Sequence, residues 1–408
     1  MKILFLSTWF PYPLSQGSKI RAYNLLRALS ERHQIALLSF QDDPVAPEWR
    51  DHLKKFCSHI EVIPRNPFAT TQGKRIRGWF SLKPSSVVAT YSPEMAERVL
   101  EIASDWHPDR IVALTFVTAP YALLAKSVAG NAVRVVDVDN LMAPMLRSAY
   151  QSARGTILRA RNLLAWRKFY RFERQLFSGF DLCLAVTEQD RQQLDKLLKG
   201  RVKQIGVVAN GVDTVHNQPA DISPESNTLV YNGALTYSAN YEAMEHFLSH
   251  ILPLVTAEVP NVCLRITGKT EGVALDRLCM NKNVQLTGYL EDIRPTITSS
   301  WACVVPLLTG GGTRLKILES MALGTPVIST SKGAEGLDAI DGRHLLIADT
   351  PGRFAEQTIR LLRDAELRSR LALNARQLVA SQFDWGIIRR HMCDLVERCD
   401  PHAKKTGA

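Results

Sequence analysis

GGGTRLKILESMALGTPVIST, Gly310 to Thr330, carries the clearest architectural signal in the chain. The apolar run ACVVPLL before it reads as a buried strand ending near Leu308. A glycine loop then leads into a helix expected from about Thr313, with Leu315, Leu318, Ala322 and Leu323 as its buried stripe. Gly324-Thr325-Pro326 ends that helix, and PVIST reads as the next strand. In an open parallel sheet, ligands bind at the loops that follow the strands. A glycine loop bares backbone N–H groups, a helix start adds partial positive charge, and Arg314 and Lys316 add two full charges. Together these make a cradle for a diphosphate. Glu319, one turn after Lys316 on the same face, would repel a phosphate but suits a pair of sugar hydroxyls, which are donors. Spacing alone fits a plain surface pair of Glu319 with Lys316 equally well, and no Gly-Lys-Ser/Thr phosphate loop is present.

Working outward, the same alternation recurs. KILFLS (2–7) reads as a strand, TWFPYPLSQG as a loop, and a helix follows from about Ser18 with Ile20, Tyr23, Leu26 and Leu29 on one face. Strands are expected at QIALLSF, EVIP, RIVALT, VRVVDVD, DLCLAVT and VKQIGVVANGVD, with helices near 93–105, 119–129 and 145–178. Polar, proline-dotted sequence follows, and the pattern restarts with TLVYNG, a helix at 239–257, VCLRITG, VQLTGYL, CVVPLL, PVIST and HLLIA. A lone C-terminal helix, FDWGIIRRHMCDLVERC, closes the chain. Nearly continuous apolar strands alternating with helices argue for parallel sheets covered on both faces. The expected organisation is a first α/β domain at 1–208 completed by the C-terminal helix 384–400, a linker at 209–227, and a second α/β domain at 228–383.

The bulk numbers agree with a two-domain globular protein. The 408 residues are 46% hydrophobic and 22% charged. No apolar run reaches the roughly 18 residues of a membrane span. MKILFL is too short an apolar run for a signal peptide and no small-residue cleavage site follows it, so a cytoplasmic location is expected. Seven cysteines are scattered singly with no Cys-x-x-Cys, which argues against a disulfide framework or a zinc knuckle. The net charge of +10 favours anionic partners.

The Gly310 segment resembles the retaining family-4 glycosyltransferases of the GT-B fold, in the branch with GGGTRLKILEA in place of the family's acid-x7-acid motif. Here ESMALGTPVIST matches the family's AMxxGxPVI region, and Gly311 stands where most members have the first acid. Other pieces match in order: the opening strand and loop with Gly17, then Arg21 on the next helix; FERQLFSGFDLCLAVTEQDRQQL; the NGVD linker signature; LVYNGALTYSANYEAMEHFLSHILPLV with Gly233 and Asn240; and LRITGK with Gly268. A branch active in exopolysaccharide assembly has DVDS where this chain has DVDN (137–140). The resemblance implies two Rossmann-like domains facing across a cleft, and a metal-independent hexosyltransferase that needs no cofactor. Its co-substrate would be a nucleotide-diphosphate sugar, with a saccharide or lipid-linked acceptor taken by the first domain. It implies Arg314 and Lys316 at the leaving diphosphate and Asp139 near the transferred sugar or the acceptor. Donor contacts would come from Gly17, Arg21, Gly233, Asn240, Gly268, Gly311, Gly312, Thr313, Leu315 and Glu319. Two rivals stay open: a nucleotide-sugar 2-epimerase on the same fold, and a non-catalytic sugar-nucleotide-binding partner.

Two patterns mimic metal sites. Asp137 and Asp139 alternate at a strand end, as in an Asp-x-Asp ion site, but a basic diphosphate cradle needs no ion. His246 and His250 have i,i+4 spacing without a third ligand and read as helix-surface groups. Basic and aromatic residues interleave at 74–83 and 147–174. Three readings fit: an anionic membrane surface or lipid-diphosphate acceptor at the inner face of the membrane, a solvated helix with a packed aromatic face, and, least favoured, nucleic acid.

Overall fold

The computed structural model describes residues 1–41, 43–68, 81–220, 222–310 and 314–400. Gly311, Gly312, Thr313 and most of the 74–83 patch lie outside the described residues. The chain divides into two compact units, Met1–Ala209 with the residues from Arg389 on, and Asn210–Ile388.

The first unit is built on seven parallel strands: β1 (Lys2–Ser7), β2 (Gln34–Phe40), β3 (His59–Ile63), β4 (Arg110–Leu114), β5 (Val133–Val138), β6 (Leu182–Ala185) and β7 (Gln204–Val207). Their spatial order is β3-β2-β1-β4-β5-β6-β7. The strands are apolar almost throughout because helices cover both faces; Ile3, Leu4, Phe5 and Leu6 are fully buried. Strand order reverses between β1 and β4, and that switch point is where an open sheet of this kind binds ligands.

The second unit has six parallel strands, β8 (Glu225–Asn232), β9 (Cys263–Thr267), β10 (Val284–Gly288), β11 (Ser300–Val305), β12 (Val327–Ser329) and β13 (Leu346–Ile347). Their order, β10-β9-β8-β11-β12-β13, is that of a dinucleotide-binding sheet, with its switch point between β8 and β11. Two parallel-sheet Rossmann-like units are thus what the alternating pattern implies.

Several expectations need correction. The helical region read at 145–178 is two helices, Met142–Ser152 and Thr156–Phe177, broken at Gly155, whose φ of 93° no helix tolerates. The second begins in basic, exposed sequence and ends in the core at Phe177. Its Glu173, fully buried, accepts from the Met142 and Ala143 N–H groups at 2.7 and 3.0 Å and so caps the first. The helix read at 239–257 holds a π turn, Phe247–Ile251, between Ser238–His246 and Leu252–Glu258. Pro253 has no N–H for the carbonyl one turn back, and the wider turn absorbs that loss. The C-terminal helix, Trp385–Arg398, is not alone after the last strand: Pro351–Arg363 and Ala365–Leu378 precede it. Thr350 and Asp364 cap them, and Phe354, Leu361, Leu367 and Leu371 give each a buried face. The Gly310 segment's helix is Leu315–Ala322. It turns Ile317, Leu318, Met321 and Ala322 inward and leaves Leu315 half-buried, so the buried stripe is rotated from the one expected.

Candidate functional site

At the second sheet's switch point, β8 ends in Tyr231-Asn232 and continues into Gly233, while β11 leads through Gly310 to the Leu315–Ala322 helix. The helix presents Lys316 and Glu319 on the side that meets β8. Lys316 Nζ donates to Tyr231 Oη at 2.9 Å and to Asn240 Oδ1 at 2.8 Å, and lies 4.2 Å from the centre of the Tyr231 ring. Tyr231 Oη in turn donates to Asn240 Oδ1 at 2.8 Å, and Asn240 Nδ2 donates to the Ala234 carbonyl. Glu319 Oε2 accepts from Asn232 Nδ2 at 2.7 Å. Its other carboxylate oxygen has no hydrogen-bond partner among the described residues.

Gly233 leaves room for the ends of the Lys316 and Asn240 side chains. A Cβ there would stand 2.6 Å from Lys316 Nζ and 2.9 Å from Asn240 Nδ2. Gly268, at the end of β9, has φ 101° and packs its Cα onto the Ala234 backbone, where a Cβ would come within 2.6 Å of the amide nitrogen. Arg314 is buried, its guanidinium folded against Gly310.

Lys316 and Glu319 are half-buried as residues, but their charged ends are enclosed. Loss of hydration lowers the Lys316 ammonium to about 7, against the favourable fields of Cys303 and Glu319. The same cause raises the Glu319 carboxyl to about 7, opposed by Asn232 and Lys316. Each group therefore changes charge readily near neutrality. An anion arriving at Lys316, or hydroxyl donors arriving at Glu319, would fix the charged forms.

The first unit brings together a different set. Arg21 Nε and Nη2 donate to Asp137 at 2.8 and 2.6 Å, and both side chains are almost fully buried. This commits Asp137, half of the Asp-x-Asp pair, to an ion pair. Asp139, just past the end of β5, is half-buried and enclosed at its carboxyl, and burial raises it to about 6. Gly17 is exposed at the first position of the Gly17–Ser30 helix, whose opening turn contains no acid. Among the described residues no three His, Cys, Asp or Glu side chains gather as a ligand set. His246 and His250 sit on one helix flank with ring centres 5.2 Å apart.

Sequence reasoning missed Tyr231 and Asn232. Both precede Lys316 and Glu319 by more than 80 residues, and no local pattern links them. Asp137 as the partner of Arg21, 116 residues away, was equally hidden.

Residues 15–216 match the model of Glycosyltransferase Family 4, and residues 226–364 match that of Glycosyl transferases group 1. A protein described as an uncharacterized 44.6 kDa protein in the cps region of Klebsiella pneumoniae is 20% identical over 393 residues, covering 94% of this chain and 96% of its own length. Sucrose-phosphate synthase from Thermosynechococcus elongatus superposes with a TM-score of 0.73 at 15% identity, over 98% of this chain and 99% of that one. Anabaena HepE in complex with UDP and glucose superposes with a TM-score of 0.65 at 16% identity, over 97% and 99%. At such identities these structures speak to the fold alone, and that fold is GT-B.

Proposed function

We propose that this chain is a family-4-like glycosyltransferase that moves a hexosyl group from a nucleoside-diphosphate sugar onto a hydroxyl of a saccharide or lipid-linked acceptor, with retention and without a metal ion. The observation that carries the reading is the pairing of a cation and an acid at the second switch point. Lys316 suits the diphosphate, and Glu319, held by Asn232, has an oxygen available for the ribose hydroxyls. Arg314 adds positive charge beside Gly310.

In the reaction the bond from the anomeric carbon to the diphosphate oxygen breaks, and its electron pair leaves with the diphosphate. The acceptor oxygen takes the anomeric carbon and gives up its proton to the departing diphosphate oxygen. Negative charge therefore grows on the leaving group, where Lys316 is fixed by two hydrogen bonds before the reaction starts. Side chains and backbone neutralise that charge in this scheme, so no ion is called for. In this reading Asp139 serves the acceptor or the transferred sugar. The relative from a cps region supports a growing polysaccharide or its lipid-linked precursor as the acceptor.

The test is incubation with labelled UDP-glucose and a panel of other sugar nucleotides, scoring free nucleoside diphosphate, with and without EDTA. Transfer, or slow hydrolysis without acceptor, releases it, and NMR of the product should show the donor's anomeric configuration. Appearance of a 2-epimer without need of acceptor would make the protein an epimerase. Binding without release would make it a sugar-nucleotide-binding partner. Complete loss with EDTA, restored by Mn²⁺ or Mg²⁺, would refute the metal-free scheme.

A further inference from the structure

We propose that the first unit holds a binding pocket for the hydrocarbon chain of an amphiphile with an anionic head, and that this amphiphile is the sugar acceptor. The second clause rests on the transfer reading above; the first does not. A cavity of about 620 Å³ lies between the helices Ser85–Thr90, Thr115–Leu124 and Thr156–Phe177. Its volume falls within the range of small-molecule sites, roughly 300–1,000 Å³. Val87, Phe116, Val117, Pro120, Phe172 and Leu176 form its walls.

Two of the wall's buried polar groups are engaged within the fold, while the exposed Gln175 amide lies at its edge. Thr90 Oγ1 donates to the Val87 carbonyl at 3.1 Å, and Tyr121 Oη accepts from Ser92 N–H at 2.8 Å. The buried part of the wall is mostly apolar, and a hydrocarbon chain entering it leaves the Thr90 and Ser92 hydrogen bonds intact. Leu124 and Tyr91 stand at the mouth with 40% and 44% of their surface exposed, apolar area that such a chain would cover.

The rim supplies the complementary charge. Lys83 lines the pocket, is exposed, and has no ion-pair or side-chain hydrogen-bond partner for its ammonium among the described residues. The wall also adjoins the first sheet's switch point. Phe116 follows Thr115, which stands at the end of β4 with φ 65° and its hydroxyl 2.9 Å from that of Thr8, just past β1. A β-branched residue held at positive φ is costly and is characteristic of ligand sites. An amphiphile with its tail in the cavity can therefore keep its head near the place where the sheet topology puts a ligand.

The probe is dodecyl phosphate below its micelle concentration, titrated by calorimetry into the full chain without donor. Dodecanol and inorganic phosphate serve as the tail-only and head-only arms. One saturable site for dodecyl phosphate is expected, weaker binding of dodecanol, and none of inorganic phosphate at the same concentrations. Val88→Trp, which fills the cavity from a half-buried wall position, should weaken dodecyl phosphate at least about tenfold. Leu124→Glu at the exposed mouth is the second variant, should Val88→Trp fold poorly. Lys83→Glu should weaken dodecyl phosphate and leave dodecanol unchanged. All three should bind UDP-glucose like the parent. Absence of saturable binding by the parent, or undiminished binding by both Val88→Trp and Leu124→Glu, overturns the pocket; an unaffected Lys83→Glu overturns the anionic head. Failure of the parent to bind any sugar nucleotide of the panel, with dodecyl phosphate still bound, would instead sink the transfer reading. In turnover, a dodecyl glycoside should show a lower KM than the methyl glycoside, and Val88→Trp should abolish that difference. Equal KM values in the parent would separate the pocket from the acceptor.

Discussion

Donor affinity should pass through a maximum near neutral pH, and the two limbs should belong to two named residues. In the free site Lys316 is lowered to about 7 by enclosure. A bound diphosphate favours its charged form, so the complex keeps the proton to higher pH. Below 7 both states hold that proton and this limb is flat. Above 7 the free site has lost it, so binding must take one up and affinity falls about tenfold per pH unit. From about pH 7 to about pH 9 that amounts to roughly 100-fold, or about 2.7 kcal/mol. Glu319 gives the opposite limb. It is raised to about 7 in the free site, and hydroxyl donors favour the carboxylate. Below 7 binding must expel a proton, and affinity falls as pH falls. The assay is calorimetric titration of UDP-glucose in pairs of buffers with different ionisation heats, which reads the proton count directly. Proton release on the acid side, uptake of up to one proton on the alkaline side and a sign change near 7 are expected. The diphosphate of UDP-glucose is a diester, so no phosphate ionisation enters this range. Lys316→Met should bind more weakly and lose the alkaline limb; Glu319→Gln should lose the acid limb. A Kd that is flat across the range, or limbs that survive both substitutions, would refute the placement of these groups against the donor.

Other outcomes test the neighbouring parts. Lys316→Ala should raise donor KM and also lower kcat, by roughly 2–4 kcal/mol of barrier, because the leaving group's charge grows in the transition state; an unchanged kcat would contradict the second role. Glu319→Gln should weaken a nucleoside diphosphate while leaving inorganic pyrophosphate, which has no ribose, unchanged in calorimetry. In Gly233→Ala the new methyl would collide with the flexible end of Lys316. The fold should survive with a Tm close to the parent's, while donor affinity drops about tenfold; parental affinity would remove Lys316 from the site. Asp137→Asn leaves the Arg21 charge buried without its partner and should cost about 3–5 kcal/mol in urea unfolding, whereas the double change Arg21→Met with Asp137→Leu should recover most of it. If Asp137→Asn unfolds like the parent but binds donor poorly, Arg21 is a ligand residue after all.

Much of the fold was legible along the chain because its signals are local. Apolar runs such as KILFLS and ACVVPLL stand between amphipathic segments, and each boundary is marked by glycine, proline or a capping residue. Such patterns announce parallel sheets wherever they occur. Lys316 and Glu319 could be placed on one helical face because three residues make nearly one turn. The helices at 351–378 were equally periodic, and only their charge density hid them. What those side chains touch could not be read in this way. Tyr231 and Asn232 reach Lys316 and Glu319 because β8 and β11 are hydrogen-bonded neighbours, a pairing that follows from the crossover order and leaves no mark on either strand. Arg21 could be placed on the helix after the first loop, and only the adjacency of that helix to β5 shows its ion pair with Asp137. The charge states follow the same division. Sequence supplies the ionisable groups, but the shifts of Lys316 and Glu319 toward neutrality come from enclosure, and enclosure exists only once the distant segments have packed.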